Sequence, residues 1–83
     1  MVVAGVEISL GAAALLALLL EQDGESDLAQ RIGLAVDANS RGVGVRADER
    51  RILLRVLQDP PAQLRGLKDA LARPSRGATT TSV

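Results

Sequence analysis

The side chains of this chain with a capacity for chemistry are ten carboxylates, ten cations and a scatter of Ser and Thr hydroxyls, with no His and no Cys among them. Without His the commonest general base and transition-metal ligand is gone; without Cys there are no thiolate metal sites, disulfides or thiol nucleophiles. A Ser or Thr nucleophile would need a base beside it, and the carboxylates follow none of the spacings of a zinc-protease helix, a calcium loop or a phosphate loop. The densest acidic run, Glu21, Asp23, Glu25 and Asp27, falls where one helix ends and the next begins. Solvation and the helix dipole account for it there, and calcium would need a closer oxygen cage. Gly42-Val43-Gly44 has the glycine content of a phosphate loop, but it precedes a short strand and no Lys-Ser/Thr follows, so it reads as a turn. The expectation is a non-enzymatic protein with no catalytic residue, no metal and no cofactor.

Charge is the other chemical resource. The net charge is zero, yet residues 1–40 hold six acids against Arg31, and residues 41–83 hold eight Arg and Lys68 against four acids. The sum is −5 in the first part and +5 in the second. Either the two parts pack together and neutralise each other, within one protomer or head to tail between protomers, or Arg51, Arg55, Arg65 and Lys68 form a basic face for an acidic partner. The first reading is the simpler. Lys68 is the single Lys among ten basic residues, alongside heavy Ala, Gly, Val and Leu usage. This codon bias points to a high-GC bacterium or one of its phages.

These groups must be held by a small domain. The chain has 83 residues, 47% of them hydrophobic, but no aromatic side chain, so Leu, Val, Ile and Ala must build the whole core. So small a core, set against the entropy of ordering the chain, makes self-association or a protein partner a reasonable expectation. The lack of aromatic rings argues against RNA, whose single-stranded bases are read by stacking.

The expected architecture is mainly α, with four short helices and a small two-stranded β ribbon. Val2, Ala4, Val6 and Ile8 alternate as one short strand over Met1 to Ile8, and Ser9 then caps a first helix from about Leu10 to Gln22. That helix is apolar on nearly every side, which places it centrally or at an interface, with Leu15, Leu18 and Leu19 as the docking residues. Its uninterrupted apolar run from Leu10 to Leu20 spans only about 16 Å against a hydrocarbon thickness near 30 Å. No basic residue precedes Arg31 to make a signal peptide or orient a membrane span, so a cytoplasmic protein away from membranes is expected.

A second helix after a Ser26 cap turns Leu28, Ile32, Ala35 and Val36 to one side, and Val43-Gly44-Val45 reads as the second strand. Asp48 is placed to cap a third helix from about Glu49 to Gln58, with Ile52, Leu53, Val56 and Leu57 inward. Asp59-Pro60-Pro61 ends it and opens a fourth helix to about Ala72 carrying Leu64, Leu67 and Leu71. Residues 1–73 form the expected single domain, and residues 74–83, small and polar and ending Thr81-Ser82-Val83, a disordered tail.

Shifted by 37 positions, Val6 falls on Val43, Ile8 on Val45, Leu15 on Ile52, Leu16 on Leu53, Leu19 on Val56 and Leu20 on Leu57; at 35, Ile32 falls on Leu67 and Val36 on Leu71. This suggests a duplicated β-α-α unit. The functional expectation is a protein–protein interaction module, regulatory or structural, that self-associates or docks on a protein partner. The alternative is a DNA-binding regulator using a helix-turn-helix over residues 49–72, although zero net charge and a second helix with only Gln63 near its start to read bases argue against it.

Overall fold

The chain begins with a tight turn. In the computed structural model, which describes residues 1–73, Ala4 and Gly5 both take positive φ, 54° and 81°, and fold Val2–Val3 (β1) back on Val6–Glu7 (β2) as an antiparallel hairpin. Positive φ at both central positions is the two-residue turn whose twist suits a hairpin. The single strand expected over Met1 to Ile8 is therefore corrected to two. Alternation of apolar residues continues across the turn, so periodicity alone could not see the reversal. Gly42–Val43 (β3) then pairs parallel with β1, Val2 opposite Gly42 and Val3 opposite Val43, and the sheet order is β2-β1-β3. The expected two-stranded ribbon is a three-stranded mixed sheet. Gly42 is required by this pairing, because a Cβ at that position would lie 2.6 Å from the carbonyl oxygen of Val2.

Four α-helices follow the hairpin: Leu10–Gln22 (α1), Ser26–Asp37 (α2), Ala47–Val56 (α3) and Arg65–Ala72 (α4), the last entered through a 3₁₀ turn at Ala62–Leu64. α1 occupies the expected range, and the Ser9 hydroxyl accepts the Ala12 N–H at 3.0 Å. It stops at Gly24, φ 84°, where Gly24 N–H reaches Glu21 O and Glu25 N–H reaches Leu20 O. α2 stops in the same way at Asn39, φ 54°, with Asn39 N–H on Val36 O and Ser40 N–H on Ala35 O. In each case a residue that tolerates the left-handed region closes the helix and satisfies its last carbonyls.

Three caps differ from expectation. Ser26 is the first residue of α2 and makes no side-chain cap. α3 begins two residues earlier than expected, and its first turn is closed not by Asp48 but by the Glu49 carboxylate, which accepts the Arg46 N–H at 3.1 Å. Asp59 caps nothing; the two prolines place the entry to the last helical segment at Pro61, whose carbonyl accepts the Leu64 N–H.

One contiguous core gathers Val3, Ile8, Ala12, Ala13, Leu16, Leu20, Leu28, Ala29, Ile32, Val43, Leu53, Leu57, Leu64, Leu67 and Leu71. α1 packs along α2 and also touches α3 and the 3₁₀ turn, while α4 leans on α3 and β2. Two copies of a β-α-α unit are not evident in this arrangement: the first half opens on a hairpin that has no counterpart before α3, and the 3₁₀ turn has none before α2. The expected tail, residues 74–83 with Thr81-Ser82-Val83, lies outside the described residues.

Candidate functional site

Charges first sort themselves into those the fold consumes and those it leaves outward. Glu49 is the buried ionic residue, 4% exposed. It receives Arg31 in a two-pronged contact, Nη1 to Oε1 at 2.9 Å and Nη2 to Oε2 at 2.6 Å, so that the lone base of the first half joins an acid of the second. Arg31 Nη1 also donates to Gly44 O at 3.3 Å, linking α2, α3 and the end of β3. The Arg31 guanidinium, then the Arg46 backbone N–H, holds the Glu49 carboxyl at about 2. Paired donors of fixed geometry favour the ionised form in this way.

Arg55 reaches in the other direction. Its Nη2 donates to Asp23 Oδ2 at 2.7 Å and to Glu25 Oε2 at 2.5 Å, fastening α3 to the turn between α1 and α2. Arg50 Nη2 donates to Leu71 O at 2.8 Å and so completes the end of α4, and Lys68 Nζ donates to Gln58 O at 3.2 Å. Of the residues assigned from sequence to a basic face, Arg51 and Arg65 are exposed and form no ion pair among the described residues, whereas Arg55 and Lys68 have partners within the chain. The four do not make one free surface.

The hydrophobic surface is concentrated elsewhere. Leu10 is 43% exposed, Leu18 50% and Leu34 60%, and these are the large apolar side chains left open among the described residues. Of the residues assigned to an interface, Leu18 alone faces outward; Leu15 and Leu19 are half-buried and pack against the core. Beside Leu18 runs an open groove of about 480 Å³ between α1 and α2, lined by Ala17, Leu18, Glu21, Ser26, Ala29, Gln30 and Gly33. The small side chains of Ala17, Ala29 and Gly33 leave the two helix backbones accessible, as at close helix–helix contacts.

Leu34 was missed from sequence, though a signal existed. It stands two residues after Ile32, about 200° round the helix from the core side, and an apolar residue there has no intramolecular partner. The groove itself had no such signal, because Ala17, Ala29 and Gly33 read as ordinary helix residues until two helices are laid side by side.

Among the described residues no group of three or more His, Cys, Asp or Glu is placed to hold a metal ion, and no helix is long and apolar enough to cross a membrane. Comparison with known proteins returns no matching family, no matching curated protein and no matching solved structure.

Proposed function

We propose that this chain is a non-catalytic protein–protein interaction module, acting in the cytoplasm of a high-GC bacterium or of a cell infected by its phage, with the outward side of the α1–α2 hairpin as its docking surface. One observation carries the reading. Leu18 and Leu34 are at least half exposed on the two helices that flank a groove floored by Ala17, Ala29 and Gly33. A domain short of core gains most from covering such residues, since apolar surface removed from water contributes about 25 cal/mol per Å². The second copy or other protein that supplies the cover remains within this reading, and the open edges of a sheet of two-residue strands are a further place for contact.

Affinity capture with the tagged chain tests it. Leu18→Asp abolishes assembly or partner capture, whereas Arg65→Glu combined with Lys68→Glu leaves both intact; the opposite pattern removes the interaction reading. A second reading, DNA binding through residues 49–72, is favoured only by Arg51 and Arg65, which are exposed and form no ion pair among the described residues. Against it, the outward side of α4 carries Asp69, and five residues, Leu57 to Pro61, separate α3 from the 3₁₀ turn. Phosphate binding would show as affinity falling steeply with salt.

A further inference from the structure

We infer that the occupant of the α1–α2 groove is an amphipathic helix with cationic flanks from another protein, rather than a second copy of this chain. The inference rests on the interaction reading and concerns the chemistry of the partner. Glu21 lines the groove beside Leu18. Asp27 follows Ser26 in the first turn of α2, and Asp37 stands one turn beyond Gly33. All three carboxylates are exposed, and none forms an ion pair among the described residues. The other two acids of the hairpin, Asp23 and Glu25, are held by Arg55, and its one base, Arg31, one turn along α2 from Asp27 and within reach of its charge, gives its hydrogen bonds to Glu49 and to Gly44 O. Among the described residues no Lys or Arg lines the groove. The docking surface is thus an apolar strip with an acidic border, beside which the one cation of the hairpin, Arg31, is already engaged by Glu49.

That border discriminates between occupants. Pairing this face with itself about a twofold would bring two sets of the same carboxylates to one interface, where like charges repel. The basic surface of a second copy is no better a fit: Arg51 and Arg65 are exposed there, but Leu53, Leu57, Leu64, Leu67 and Leu71 are buried and Ile52, Leu54 and Val56 are half-buried against the core, so no open apolar side chain stands between the cations to fill the groove. A helix with a leucine stripe flanked by Lys or Arg meets both requirements at once. Its apolar side lies over Ala17, Ala29 and Gly33 beside Leu18 and reaches towards Leu34 on the outer side of α2, and its cations face Glu21, Asp27 and Asp37.

The test uses the full chain and two synthetic helical peptides of about 18 residues, alike in their leucine stripe, one flanked by Lys and the other by Glu, with fluorescence anisotropy as readout and sedimentation of the chain alone as companion. The Leu/Lys peptide binds and the Leu/Glu peptide does not. Leu18→Ser with Leu34→Ser weakens binding about tenfold or more, and Glu21→Gln, Asp27→Asn and Asp37→Asn together weaken it about tenfold and flatten its salt dependence. These are surface changes, and an unchanged circular dichroism melt confirms that the variants fold. Absence of Leu/Lys binding, equal binding of both peptides, or binding indifferent to the Leu18 and Leu34 changes overturns the inference. Should the chain instead self-associate through Leu18 while binding neither peptide, the cationic helix is overturned and the interaction module stands; capture and assembly that never depend on Leu18 overturn both.

Discussion

A carboxylate 4% exposed, gripped by both arms of Arg31 and by a backbone N–H, gains little from a proton. Glu49 ionises near 4.5 in the unfolded chain and at about 2 in the folded one. Its contribution to stability is therefore complete above about pH 4.5 and is lost as the pH falls towards 2. Glu49→Gln is expected to lower stability at pH 7 by about 1–3 kcal/mol through the weakened contact with Arg31. Urea titrations at pH 7 and pH 3 should show the gap between the two proteins narrowing in acid; a constant gap would contradict the assignment. Arg55→Ala provides the contrast, because Arg55 and Asp23 are exposed and Glu25 is only half-buried, and pairs open to solvent contribute at most about 1 kcal/mol and fade with salt. The unequal charge of the two halves was legible in the sequence, and the two contacts support mutual neutralisation. Which residues meet was not. Arg31 and Glu49 stand 18 positions apart, and Glu49 looks like any acid in a first helical turn until α2 is laid beside α3.

At the scale of the elements, the hairpin carries the clearest strain. Ala4 adopts φ 54°, a region that costs a residue with a Cβ about 1–2 kcal/mol and that Asn tolerates better. Ala4→Asn gives the Asn-Gly pair preferred at such turns and is expected to raise the melting temperature by a few degrees. Gly42→Ala acts in the opposite direction: its methyl would meet the Val2 carbonyl at 2.6 Å, so β3 must separate from β1, and amide exchange of Val2 and Ala4, which donate to Arg41 O and Val43 O, should accelerate. Ser9→Ala, by removal of one cap, costs about 1 kcal/mol.

The helices were the legible elements. The limits of α1 followed from Ser9 and Asp23-Gly24, and the inward residues of α2 and α4 from their 3.6-residue spacing. The hairpin was hidden because Ala is a poor marker of a turn, and the missed caps of α2 and α3 because Ser and Asp before a helix are frequent where another donor or acceptor completes the turn.

For the molecule as a whole, fifteen residues with nothing larger than Leu form one core, so truncation inside it should be severe. Leu16→Ala and Leu53→Ala, both at 0% exposure, are each expected to cost about 2–5 kcal/mol, enough to leave much of the chain unfolded in a thermal melt. Leu18→Ser should cost well under 1 kcal/mol, and this difference separates a docking residue from a packing one.

The route by which the sheet closes also orders events in time. β1 waits for β3, and between them lie α1 and α2. During synthesis the most apolar helix therefore leaves the ribosome well before α3 and the 3₁₀ turn that cover part of it, and the core that buries Leu16 and Leu20 is incomplete until Leu53, Leu57 and Leu64 arrive. In that interval α2, packing along α1 soon after it emerges, is the first shelter of the nascent chain from aggregation.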